Sequence, residues 1–234
     1  YELMIERVNA ELANILGNLV NRTIAMDQKY FGGKVMAPTA SDSVDEELKA
    51  VALALPGKVQ AKMDQLKVAD AIDEVFALLR RANKYIDETM PWALAKDESK
   101  QERLGTVLYN LLESIRFAAV MLEPYLPETS ARMLQQLNVS NGGVESLNSF
   151  DGMPVGGTLG QAEILFNRID KEKKLAEIEA WQAEQAKAAL PALEVEPLSA
   201  EQVDFDTFCK NDLRAVKVLG CENVKKSNKL LKFT

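Results

Sequence analysis

Asn18 and Arg22 stand four residues apart in a stretch of helical periodicity, so their side chains share one helix face. An amide beside a guanidinium can reach base edges and phosphate oxygens. Asn costs roughly 0.5–0.7 kcal/mol relative to Ala inside a helix, although a solvated face accommodates the same spacing. Pro91-Trp92 is the second constellation. The proline ends the helix before it and leaves the indole at a joint between elements, off any regular core stripe. Such a ring can stack on an unpaired base, worth about 1–3 kcal/mol per base. Hinge packing is the other use of a tryptophan so placed. Lys225-Lys226-Ser227-Asn228-Lys229 is basic but lacks the glycines of a phosphate loop. Asp87-Glu88 and Asp97-Glu98 fall at helix ends and joints, where carboxylates cap or are solvated.

Other chemistries are closed by composition. The 234 residues contain no His, so no Ser-His-Asp triad, His-ligated zinc or haem, or imidazole base is available. Two cysteines, Cys209 and Cys221, cannot make a four-thiolate zinc site. With no signal peptide in view they are expected in a reducing, cytoplasmic compartment. No uninterrupted apolar run reaches the roughly 18 residues of a membrane span, so no membrane partner is expected. Hydrophobic content of 47% and charged content of 27% are those of a globular chain.

The charge is uneven. Residues 210–234 hold seven basic and two acidic side chains, a net of +5, whereas the rest holds 21 basic and 33 acidic, a net of −12. An acidic body beside a basic segment implies two units with different partners.

The elements that must position these residues are mostly helices. Residues 1–31 read as one helix on the spacing of Ile5, Val8, Leu12, Leu16, Leu19, Val20 and Ile24, closed by Gly32-Gly33. Ser41, Asp42 and Ser43 offer caps to a second helix over about 44–63, with Pro56 interrupting it. A third spans about 68–89, a fourth about 99–123 and a fifth about 128–137, with a short turn from Trp92 to Ala95 between the third and fourth. Residues 138–160 read as a long loop, and 170–189 as a helix with a thin apolar face of Leu175, Ile178 and Trp181. Pro191–Pro197 reads as a linker, and Leu213–Leu219 as a strand.

Two long motifs carry a resemblance. Asn9-Ala10-Glu11-Leu12-Ala13-Asn14-Ile15-Leu16-Gly17-Asn18-Leu19-Val20-Asn21-Arg22-Thr23 resembles the first helix of the anticodon-binding domain of bacterial methionyl-tRNA synthetases. Asn83-Lys84-Tyr85-Ile86-Asp87-Glu88-Thr89-Met90-Pro91-Trp92-Ala93-Leu94-Ala95-Lys96 is similar to a later segment of the same domain. The resemblance covers about residues 1–169 and departs at Asn167, where the family more often has Pro. Asp212-Leu213-Arg214 and Val224 to Lys232 resemble the start of the C-terminal tRNA-binding OB-fold, except that Ala215-Val216 replaces the family's usual Val followed by Ala or Gly.

This resemblance implies a mainly α fold: an antiparallel helical bundle over 1–169, a helical and proline linker over 170–197, and an incomplete OB segment over 198–234. It implies anticodon contacts by Asn18, Arg22 and Trp92. Nearby Lys29, Lys84 and Arg22 are candidates for phosphate contacts, and the sequence does not select between the two lysines. The implied partners are initiator and elongator methionine tRNA, a catalytic domain in cis, and a second copy through the full C-terminal domain. ATP, and often zinc, belong to that catalytic domain. Its His-x-Gly-His and Lys-Met-Ser-Lys-Ser signatures do not occur here, so no cofactor and no aminoacylation are expected of this sequence alone. Residues 150–169 are expected to dock on the catalytic domain, because a long Gly-rich stretch needs a surface. Without the resemblance, composition and periodicity also fit the bundle of another class I synthetase, or a non-catalytic helical scaffold.

Overall fold

The computed structural model describes residues 1–188, 203–212, 214–224 and 230–234. The N-terminal periodicity yields one unbroken helical rod in three parts: α1 (Glu2–Arg7), a π-helical segment (Val8–Gly17) and α2 (Asn18–Phe31). The backbone N–H of Asn18 bonds the carbonyl of Ala13, five residues back, which is the wide turn of a π-helix. Leu16, Leu19, Val20 and Ile24 point into the core. Gly32 ends the rod in the left-handed conformation (φ 65) that a residue without Cβ adopts freely.

Asp42 caps α3 (Ser43–Met63) in a capping box with Asp45. Pro56 lies inside α3 without breaking it, because Leu55 and Val59 on either side are buried in the core and hold the helix through the missing hydrogen bond. The interruption expected there does not occur. α4 (Val68–Thr89) packs against α3 as a hairpin and is followed by α5 (Pro91–Leu94). α6 (Gln101–Leu122) is apolar enough by composition to cross a membrane, yet it is buried on every side from Leu104 to Leu122 as the central helix of the bundle. α7 (Pro127–Leu137) closes against it.

Residues 150–169 find their surface on the bundle itself. Gly156 and Gly157 exchange backbone hydrogen bonds with Val35, and the Leu159 and Gly160 amides donate to the Gly33 and Gln136 carbonyls. Met153, Leu159 and Leu165 are buried. The Asn9 side chain brackets the backbone of Ile169 with two bonds of 2.8 Å. The strap is therefore sewn to α2, α7 and the π-helical segment. α8 (Lys171–Ala188) starts where Lys171 reaches Glu6 at 2.6 Å, and Glu2.

The chain divides into two compact units, Tyr1–Glu184 and Gln185–Thr234. In the second, α9 (Phe205–Cys209) precedes an antiparallel ribbon of β1 (Cys221–Asn223) and β2 (Leu231–Phe233), with Glu222 opposite Lys232. The strand expected over 213–219 is not formed among its described residues. Val216 and Val218 are exposed and have no neighbouring strand to complete a ladder. The Pro191–Pro197 linker, Leu213 and the Lys225–Lys229 cluster lie outside the described residues.

Candidate nucleic-acid interface

Met90 determines where the tryptophan goes. Its backbone is left-handed (φ 43, ψ 64), uncommon for a residue with a side chain. It ends α4 and begins α5 at once, and its carbonyl accepts from the amides of Ala93 and Leu94 at 2.8 and 3.2 Å. Buried Pro91 supplies the fixed φ of a first helical position. The indole of Trp92 then projects outward, 40% exposed. Strain of this kind gathers at functional sites.

The end of α4 is held from behind by a buried polar network. Tyr85 donates its hydroxyl to Asp45 and accepts from Asn110 of α6 at 3.1 Å. Arg103 of α6 donates to both oxygens of Asp45, at 2.9 Å to Oδ1. Burial pushes the Asp45 carboxyl up, but hydrogen bonds from Arg103, Tyr85 and the Asp42 backbone outweigh it and hold the group below its ordinary value. Burial, then the bond to Asp45, raises the Tyr85 phenol.

Arg22 faces the indole, its Cζ 6.0 Å from the ring centroid, at the limit of a cation–π contact. Asn18 lies one turn earlier and is exposed. Among the described residues neither side chain has a hydrogen-bond or ion-pair partner. Every other arginine of the chain has one: Arg7 with Glu11, Arg80 with the Asp73 carbonyl, Arg81 with Glu47 and Glu88, Arg103 with Asp45, Arg116 with Glu113, Arg132 with Glu163, Arg168 with Asn14 and Arg214 with Asp212. Among the described arginines, Arg22 alone leaves all five of its N–H donors without a partner.

The two lysines differ. Lys29 lies two turns beyond Arg22 on the same face of α2, exposed, with Nζ 5.4 Å from the Tyr30 ring centroid and no carboxylate in ion-pair range. Lys84, exposed on α4, has its ammonium 3.4 Å from Glu88, which Arg81 also holds at 2.9 Å. The structure thus brings Arg22 and Trp92 together, aligns Asn18 and Lys29 with them, and engages Lys84 elsewhere.

On the other side of Asn18 the strap forms the second wall of an open groove of about 400 Å³, lined on the helix by Asn14, Gly17, Asn18 and Asn21 and across it by Ile164, Phe166 and Arg168. Residue-by-residue reading singled out none of these but Asn18. The spacing of Asn14, Asn18 and Asn21 on one face was the available signal, whereas the opposite wall depends on a contact across some 150 residues. Cys209 and Cys221 are exposed and free, and among the described residues no three His, Cys, Asp or Glu side chains converge.

These features define an all-helical domain with an outward polar and aromatic patch. Comparison places it in a family. Residues 37–189 match the model of the anticodon binding domain of methionyl tRNA ligase, and the chain belongs to that family. It is 52% identical over 232 residues to methionine–tRNA ligase of Clostridium perfringens, covering 99% of this chain and 36% of that protein. It is 37% identical over 241 residues to that of Bacillus subtilis, again covering 99% and 36%. The chain therefore spans about a third of the length of the relatives it matches. A crystal structure of free methionyl-tRNA synthetase from Mycobacterium tuberculosis superposes with a TM-score of 0.67 at 31% identity, covering 71% of this chain and 34% of that one. The same enzyme bound to methionyl-adenylate gives 0.65 at 30%, with 71% and 33% covered.

Proposed function

We infer that this chain reads the anticodon loop of methionine tRNA. Methionine has one codon, so its initiator and elongator tRNAs share one anticodon and a single reading surface serves both. One observation carries the reading: the partner-free guanidinium of Arg22 lies against a half-exposed indole, with the free amide of Asn18 one turn away. Trp92 stacks on an unstacked loop base, and Asn18 and Arg22 offer their hydrogen bonds to base edges. Lys29 supplies a phosphate contact. Lys84 does so only by exchanging Glu88 for the phosphate.

The first unit carries 20 basic and 28 acidic side chains, a net of −8. Such a body repels polyanions at long range, which favours local, base-directed recognition over broad backbone affinity. The remainder of a longer cytoplasmic ligase would supply the chemistry that attaches methionine, with its ATP and zinc. We assign residues 1–169 to anticodon reading, 170–197 to a linker and 198–234 to the start of a tRNA-gripping OB domain that could also pair two copies.

The test is titration of the chain with a methionine anticodon stem-loop and one-base variants of it. Trp92→Ala is expected to weaken cognate binding by about 5- to 100-fold, the loss of one stacked base, with an unchanged melting temperature. Equal affinity of parent and variant for the cognate loop would sink the reading.

A further inference from the structure

Asp45 ties together both ends of the segment that displays Trp92. Residues 90–100 join α4 to α6 and carry α5 between them. On the α4 side, the last turn is closed by two bonds. The Met90 amide donates to the Ile86 carbonyl at 2.9 Å, and Thr89 Oγ1 to the Tyr85 carbonyl at 2.7 Å. The Tyr85 side chain is fully buried, and its hydroxyl donates to Asp45 Oδ1. On the α6 side, Arg103 stands in the first turn of the helix. It donates to both oxygens of the same carboxylate, and to the Ala40 carbonyl at 3.0 Å. Asp45 Oδ2 also accepts the Asp42 amide at 2.8 Å, within the capping box of α3. An ionised carboxylate offers about four acceptor sites. Tyr85, the two arms of Arg103 and the Asp42 amide take them all.

The turn between these anchors needs support from outside itself. Met90 is left-handed without being glycine, and its own side chain is half-exposed, so its packing does not force the conformation. The hydrogen bonds of α5 are internal: the Met90 carbonyl accepts from Ala93 and Leu94, and the Pro91 carbonyl from Ala95 at 2.9 Å. They make α5 a unit and leave its direction to its ends. Strain of this kind persists only where the surroundings over-determine it. Buried Pro91 and the packing of α5 on α6 contribute, but both require α4 and α6 to keep one spacing. Tyr85 sets that spacing through Asp45 to Arg103, and through the bond of 3.1 Å that it accepts from Asn110.

We propose that Tyr85 and Asp45 are positioning residues of the RNA-reading site: their hydrogen bond, extended by Arg103, sets the Met90 turn and with it the direction of the Trp92 indole. The proposal deepens the anticodon-loop reading above and rests on it. Neither side chain is open to RNA, since both are fully buried. Loss of the link lowers the share of chains whose indole stands ready to stack, and apparent affinity falls by that share.

The experiment uses the 234-residue chain carrying Trp181→Phe, so that Trp92 is its one tryptophan. Tyr85→Phe then deletes only the hydroxyl. Acrylamide quenching and anisotropy of the indole are read without RNA. Binding is read by titration with a labelled methionine anticodon stem-loop, at a temperature where each variant's melt shows it folded. Tyr85→Phe is expected to raise the quenching of Trp92, to lower its anisotropy and to weaken cognate binding by about 3- to 10-fold. In a Trp92→Ala chain the same substitution makes no further difference to binding, because both changes act through one ring. A role in stability alone lowers the melting temperature and leaves the folded chain's indole and affinity as they were. Tyr85→Phe binding within twofold of the parent, or unchanged quenching, therefore overturns the proposal, as does a loss additive with that of Trp92→Ala. If Tyr85→Phe does not fold, Arg103→Lys, which keeps the charge without the fork, is judged by the same outcomes. A Trp92→Ala chain that binds like the parent overturns the anticodon reading, and this inference with it.

Discussion

Asp27 is the residue whose chemistry is least reconciled with its surroundings. It sits on the inner face of α2, 1% exposed, and neither carboxylate oxygen has a partner among the described residues. Thr23, one turn earlier, also buries an unpartnered hydroxyl. Burial raises the Asp27 carboxyl to about 7. A carboxyl with a higher pKa folded than unfolded stabilises the fold fully below its unfolded value. That stability is lost as pH rises from about 4 to about 7. Asp27→Asn removes this dependence. We expect the variant's stability relative to the parent to rise by a few kcal/mol between pH 4 and pH 8 in paired denaturant melts. A difference independent of pH would show that Asp27 does not titrate in this window. The lysines give a second residue-scale prediction. Lys29→Ala is expected to lower the salt slope of stem-loop binding by about 0.7. Lys84→Ala changes it less, because the ammonium must first leave Glu88.

Among the elements, the strap over 150–169 is where small changes should travel furthest. At Gly160 a Cβ would stand 2.7 Å from the Gln135 carbonyl oxygen and 3.2 Å from Gln136 Cα. Both are backbone atoms of α7, which cannot turn aside. Gly160→Ala is therefore expected to cost about 1–3 kcal/mol of stability, read as a lower denaturant midpoint. An unchanged midpoint would mean that the strap is not seated on α7 as described. The helices were legible in sequence because three- and four-residue apolar spacing, the Asp42 cap and the Gly32 stop act locally. The left-handed turn at Met90 was legible only as Pro91 ending a helix. Pro56 misled, because burial of Leu55 and Val59 overrides a local penalty. The strap and its groove were not legible, because their hydrogen bonds join residues such as Asn9 and Ile169, and no periodicity records a partner that distant.

At the scale of the whole molecule, specificity and electrostatic grip fall in different places along the chain. Every residue of the buried core cluster belongs to the first unit, as do Trp92, Arg22 and the groove. That unit has a net charge of −8, whereas residues 185–234 hold eight basic and seven acidic side chains, with a net of +5 concentrated in residues 210–234. On the anticodon reading proposed above, base discrimination depends on contacts in the first unit. Affinity common to all RNA sequences depends on counterion release, which scales with the basic groups near phosphate. A chain shortened to residues 1–184 should then keep its cooperative melt and its preference for the cognate loop over one-base variants. It should lose affinity equally for all loops, with a shallower dependence on salt. The comparison needs two RNAs, a cognate stem-loop and a scrambled loop, titrated into both chains at two salt concentrations. If removal of residues 185–234 instead erased the preference between loops, base reading would extend beyond the bundle. The division of labour drawn from charge would then be wrong.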